Sequence, residues 1–142
     1  MGDARDRGSV LFLVPAAFLV VLILASIAVD MSVVQLRQRQ AFDFAAGAAN
    51  DAAGAGGEAA RNDGGPQALA IDPVAARRLV GRELAASELA PLVVGEPSVR
   101  VAGDQIEVSL RVRARFIFAR AIPGAAGGMT VTGRATARAA AG

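Results

Sequence analysis

RGSVLFLVPAAFLVVLILASIAVD, residues 7–30, is bounded by Arg7 and Asp30 and carries no charge between them. Fourteen of the twenty residues over 10–29 are Val, Leu, Ile or Phe. Twenty residues of helix at about 1.5 Å each match the roughly 30 Å hydrocarbon core of a bilayer. At roughly 0.3 to 0.6 kcal/mol per apolar side chain, insertion gains about 4 to 8 kcal/mol before the cost of Pro15. Pro15 lacks a backbone N–H and crowds the preceding turn, but it stands near the start of the span, where few helical bonds are disturbed. The stretch predicts a transmembrane helix over 10–29 rather than the buried helix of a soluble core.

A cleaved signal is the alternative to a retained anchor. Signal peptidase requires small residues one and three positions before the cut, and Ser26 and Ala28 satisfy this for cleavage between Ala28 and Val29. The apolar region of a cleavable signal runs about 7 to 15 residues, shorter than the one here, which favours the anchor. Arg5 and Arg7 precede the span and Arg37 and Arg39 follow it, so the flanking charge is nearly balanced. Large domains translocate largely regardless of charge, so the expected arrangement is a short cytoplasmic N-terminus, 1–9, with the remainder outside.

Composition narrows the function. His, Cys, Lys, Tyr and Trp are all absent from the 142 residues. No imidazole, thiolate or amine is available for acid–base work near neutral pH, for covalent catalysis or for zinc ligation. The carboxylates Glu83 and Glu88 stand five apart, on different faces of a helix, so no catalytic, cofactor-binding or metal-binding residue is assigned and no cofactor is expected. The pI of about 10.9 accompanies a net charge of only +2. It reflects missing titratable groups rather than a basic surface, and without arginines interleaved with aromatics nucleic acid is not an expected partner.

The helical pattern continues past Asp30. MSVVQLRQRQAFDFAAGAANDAA contains no proline and places Val33, Leu36, Gln40, Phe44 and Ala48 on one stripe at spacings of three and four. The span is thus expected to run on as a membrane-proximal amphipathic helix over 30–60, with that stripe as a helix-packing face. The small residues over 41–53 would also let another helix approach closely. RNDGGP then marks a break within a linker over 61–71, with Asn62 and Asp63 read as a turn.

Over 72–142 the sequence predicts a small α+β domain. Asp72 as N-cap and Pro73 at the first helical position open a helix that extends to about residue 90, with Ala76, Val80 and Leu84 as its apolar stripe and Leu79 beside it. In SVRVAGDQIEVSLRVRARFIF the period changes to two, placing Val99, Val101, Ile106, Val108, Leu110, Val112, Ala114, Phe116 and Phe118 on one face. A two-residue turn at Gly103 and Asp104 pairs Val101 with Ile106 and Val99 with Val108, and sets Arg100 against Glu107 on the wet face. MTVTGRATARA supplies a third strand. Arg111, Arg113 and Arg115 line the outer face of the long strand, as an anion-binding surface or as ordinary solvated sheet charge.

The pieces DRGSVLFLVPAAFLVVLILASIAVD, QLRQRQAFDFAAGAANDAA, IDPVAARRLV and MTVTGRATARA, in this order, resemble the TadE/TadG-like proteins of tight-adherence (Flp) pilus assembly, in particular the short actinobacterial-type members. The resemblance implies a single-pass protein of the bacterial cell membrane with a pilin-like extracytoplasmic domain, working beside a type IV-like pilus or secretion apparatus. The TadE-type pseudopilins of the family are cut after a glycine near the start of the apolar segment and carry a Glu five residues later. Here Gly8 and Ser9 would flank such a cut, but the fifth residue is Leu13, which points to the unprocessed, TadG-like kind. The expected role is structural, through protein–protein association rather than catalysis. The expected partners are membrane lipid and other pilus or secretion-apparatus subunits, with homo-oligomers as an option. The alternative is a cleaved, secreted or surface-displayed module that binds an anionic polymer through Arg111, Arg113 and Arg115.

Overall fold

The computed structural model describes residues 4–63 and 71–139. A single helix, α1 (Ala4–Asp63), is 60 residues long, about 90 Å at the standard rise. It continues through Pro15 without a break. A second helix, α2 (Pro73–Ala86), is followed by a 3-10 turn at Ala90–Leu92 and three strands: β1 (Ser98–Ala102), β2 (Gln105–Arg115) and β3 (Gly128–Arg138). The strands form one antiparallel sheet in the order β1-β2-β3. The architecture is α+β, with both helices on one face of the sheet and the opposite face open to solvent.

From Phe12 to Val29 no residue of α1 is buried, and this apolar segment is long enough to cross a membrane. The change comes at Asp30 and Val34, which are buried. Beyond them the helix buries Ala41, Ala45, Ala48, Ala49, Ala52 and Ala53 against its own sheet, mainly β2 and β3. The small-residue face over 41–53 is therefore covered within the chain, by the sheet along most of its length and by α2 toward its far end. Asn62 and Asp63 also depart from expectation, since both lie in the last turn of α1. Gly64, Gly65 and Pro66 of the expected linker lie outside the described residues.

The sheet follows the alternation closely. Ile106, Val108, Leu110, Val112 and Ala114 of central β2 all point inward and are buried. The observed pairs include Ala102↔Gln105, Val101↔Ile106, Arg100↔Glu107 and Val99↔Val108, the register expected from the hydrophobic and charge patterns. At the turn Gly103 has φ +63, a conformation that glycine adopts without a Cβ penalty. Strand β2 ends at Arg115, however, so Phe116 is half-buried and Phe118 exposed, both in the loop over 116–127.

α2 begins as the sequence indicates, with the Asp72 carboxylate accepting a hydrogen bond from the Val74 N–H at 2.8 Å and Pro73 at the first helical position. Ala76 and Val80 are buried, while Leu79 and Leu84 pack on the core half-buried. The helix stops at Ala86 rather than near residue 90, because Ser87 is extended and its hydroxyl and N–H both bond back to the Leu84 carbonyl. Val34, the alanines of α1, Ala76 and Val80 of α2 and the inner residues of the sheet form one core. The membrane-proximal part of α1 and the 72–139 region therefore fold as one unit.

The distance between α1 and the sheet is set at Gly133. A Cβ added there would collide with the Ala41 carbonyl and the Phe42 backbone nitrogen. Backbone cannot move aside as a flexible side chain can, so Gly133→Val should destabilise the protein by about 3 kcal/mol or more, the upper end of overpacking costs. Gly81 is exposed, with nothing near a Cβ built there, so Gly81→Ala should stabilise α2 by up to about 1 kcal/mol. Thermal unfolding of the detergent-solubilised protein, followed by circular dichroism, checks both.

Candidate functional site

The first residue after the apolar span is also the first buried one among those whose side chains the structure describes. Asp30 is 6% exposed, and its carboxylate accepts three backbone hydrogen bonds: Oδ1 from the N–H groups of Ile117 at 2.6 Å and Phe118 at 3.1 Å, and Oδ2 from Ala119 at 2.9 Å. The three donors open the 3-10 turn at Ala119–Ala121 within the β2–β3 loop. Helical N-termini present unpaired N–H groups and a partial positive charge, and a carboxylate answers both. Burial by itself raises the Asp30 carboxyl, but the bonds from Ala119, Phe118 and Ile117 together outweigh it and leave the group below its ordinary value. The sequence marks Asp30 only as the residue that closes the apolar run. Its partners lie 87 to 89 positions away, so this role could not be read from local spacing.

The rest of the fold can be placed along α1 from that point. Ala41 is eleven residues beyond Asp30, about 16 Å along the helix. Gly133, which meets Ala41, is five residues beyond Gly128, about 17 Å along a strand. Gly128 pairs with Arg115, so the end of β2 and the start of β3 stand level with Asp30. The other end of the sheet lies toward the far end of α1, where the Ile71 N–H donates to the Gly103 carbonyl and Ile71 packs on Gly56.

The expected helix-packing stripe coincides with the covered face only in part. Val33, Gln40 and Phe44 are half-buried, Ala48 is buried and Leu36 is 54% exposed. Phe42 is also open, at 52%. It borders a hollow of about 580 Å³ between α1 and edge strand β3, lined also by Gln35, Gln38, Arg39, Thr132 and Arg134. The outer sheet face is basic. Arg111, Arg113 and Arg115 are exposed along β2, and Arg134 and Arg138 are exposed along β3. Among the suggested processing positions, Ala28 and Val29 lie inside continuous helix, with Ser26 donating its hydroxyl to the Leu22 carbonyl at 2.7 Å. Gly8 and Ser9 are helical as well, and their side chains lie outside the described residues.

Glu83 does not meet Glu88. It faces Asp51 of α1, and burial, followed by the charge of Asp51 and a hydrogen bond to it, raises the Glu83 carboxyl above its ordinary value against a smaller opposing effect of Arg82. This contact joins α2 to α1.

The two carboxyls give stability opposite pH dependences. Asp30 is lowered in the folded state, so its contribution is complete above the unfolded carboxylate value of about 3.9 and is lost as pH falls through the folded one. Asp30→Ala should lower the melting temperature at neutral pH, and the gap to the parent should close on titration below about pH 4. Glu83 is raised, so its contribution is complete below about 4.3 and lost as pH rises through the folded value. Glu83→Gln should therefore raise stability at pH 7, by less than about 1 kcal/mol for a partly solvated pair, with little effect near pH 4. Melting curves across this range test both signs.

Compared with protein-family models, curated proteins and solved structures, the chain matches none, so its activity is read from its own residues.

Proposed function

We propose that the protein is a single-pass membrane subunit that serves a Flp-type, type IV-like pilus or its associated secretion machinery through protein–protein association, without turnover. The N-terminus is cytoplasmic and the sheet-bearing part extracytoplasmic. The observation that carries this reading is the division of labour along one unbroken helix. Its described apolar residues, 12–29, are not buried, and its later part carries a small sheet while leaving Leu36 and Phe42 exposed. Such a helix can be held in a bilayer and still offer a lateral surface to a neighbour. The ordered resemblance to TadE/TadG-like proteins supplies the choice of machinery.

Retention of the anchor is favoured by Asp30. A cut between Ala28 and Val29 would make Asp30 the second residue of the new chain, where a helix frays and its hold on 117–119 weakens. The alternative, a released module binding an anionic polymer, draws on the arrangement of Arg111, Arg113, Arg115, Arg134 and Arg138 on one exposed face. Intact mass from the native membrane separates the two readings: a chain starting at or near Met1 belongs to the anchored subunit, a start at Val29 to the released module.

A photo-crosslinking residue placed at Phe42 or Leu36 in native membranes should yield adducts with other membrane proteins of the apparatus. A strain without the protein should lose surface pili or secretion. Normal pili and normal secretion in that strain would remove the main support for the reading.

A further inference from the structure

We infer that the β2–β3 loop over 116–127 is a second membrane contact, an interfacial anchor that seats Ile117, Phe118 and Ile122 in the headgroup layer of the same leaflet that α1 leaves. This rests on the reading of α1 as a retained membrane span.

Three independent observations converge on the loop. The first is its depth. The N–H groups of Ile117, Phe118 and Ala119 are bonded to the carboxylate of Asp30, the residue directly after the twenty-residue apolar segment. A bilayer of about 30 Å hydrocarbon is about 40 to 45 Å thick with its headgroups. The polar layer therefore extends about 5 to 7 Å past the end of the span, which places the loop within it. The second is exposure. Ile117, Phe118 and Ile122 are 49%, 47% and 61% exposed, on a loop whose backbone is held by Asp30 rather than by a hydrophobic core of its own. Around Asp30 on α1, Ile27, Val29 and Met31 are likewise 53%, 41% and 50% exposed.

The third observation is charge. Arg115 is level with Asp30, Arg113 stands two residues further out on β2, and Arg120 lies within the loop itself; all three are exposed. Apolar side chains flanked by guanidinium groups match a phospholipid surface, where acyl chains begin beneath a layer of phosphates. A protein partner would have no reason to match this depth. Two contacts with one leaflet, at α1 and at the loop, would fix the tilt and rotation of the sheet relative to the membrane, which a single helix leaves free.

The absence of Trp and Tyr makes the test direct, because an introduced tryptophan is the only indole in the chain. Phe118→Trp, Ile122→Trp and Phe18→Trp are prepared separately in the full-length protein. Each is reconstituted into phosphatidylcholine–phosphatidylglycerol vesicles containing lipid brominated either high or low on the acyl chain. The expected result is blue-shifted emission from the indoles at 118 and 122, quenched more by the shallow bromines, with the indole at 18 quenched more by the deep ones. Quenching at 18 with red, unquenched emission at 118 and 122 overturns the loop contact and leaves the anchor standing. Blue-shifted but unquenched emission at 118 and 122 places them against protein, in a second copy of the chain, and also overturns it. No quenching at position 18 overturns the anchor itself, and the loop contact with it.

Discussion

A backbone-to-backbone approach between a helix and a strand governs this structure. Gly133 has no side chain, and the space a Cβ would fill is occupied by the main chain at Ala41 and Phe42. The helix can therefore lie directly on the sheet, and the positions of α1 that face it must be small. That accounts for alanine at 41, 45, 48, 49, 52 and 53, all buried. An alanine stripe buries little area per residue, and the bulk of the core is supplied instead by Ile106, Val108, Leu110 and Val112 from the sheet and Val80 from α2.

Asp30 acts on the same assembly at the opposite end from α2. It fixes the β2–β3 loop where the apolar segment of α1 gives way to the packed one, so that the folded part begins immediately beyond the span. A carboxylate is the suitable group because the donors are three consecutive N–H groups at the start of a 3-10 turn. It also stands at the limit of where a charge is tolerated, one residue beyond the apolar run. The clamp gives the domain a defined height relative to the apolar segment of the helix.

The distribution of surface character follows from these two contacts. The face of α1 turned to the sheet is used up internally, so any association with neighbouring subunits must use the sides, where Leu36 and Phe42 remain open. The outer sheet face is basic along the later part of β2 and at Arg134 and Arg138 of β3, and its arginines at 113 and 115 are nearest the Asp30 level.

Much of the fold is legible in the sequence because the signals are local. Twenty apolar residues announce a span, Asp72 and Pro73 announce a helix start, and the alternation on either side of Gly103 and Asp104 fixes the hairpin to the residue, since a shift by one would turn every apolar side chain outward. What local pattern leaves open is what each face meets. The small residues over 41–53 are equally suited to a helix or a sheet, and only the position of Gly133 about ninety residues later selects the sheet. Phe116 and Phe118 continue the alternation of β2, yet the strand ends at Arg115 because the chain turns there to reach Asp30. Glu83 finds Asp51 rather than Glu88 because α2 docks on α1. The order and type of the main elements, the hairpin register and the apolar segment are legible in the sequence, because each depends on neighbours within a few residues. Tertiary structure alone decided the covered face of α1, the clamp at Asp30 and the carboxyl pair, because each joins residues whose separation along the chain says nothing of their distance in space.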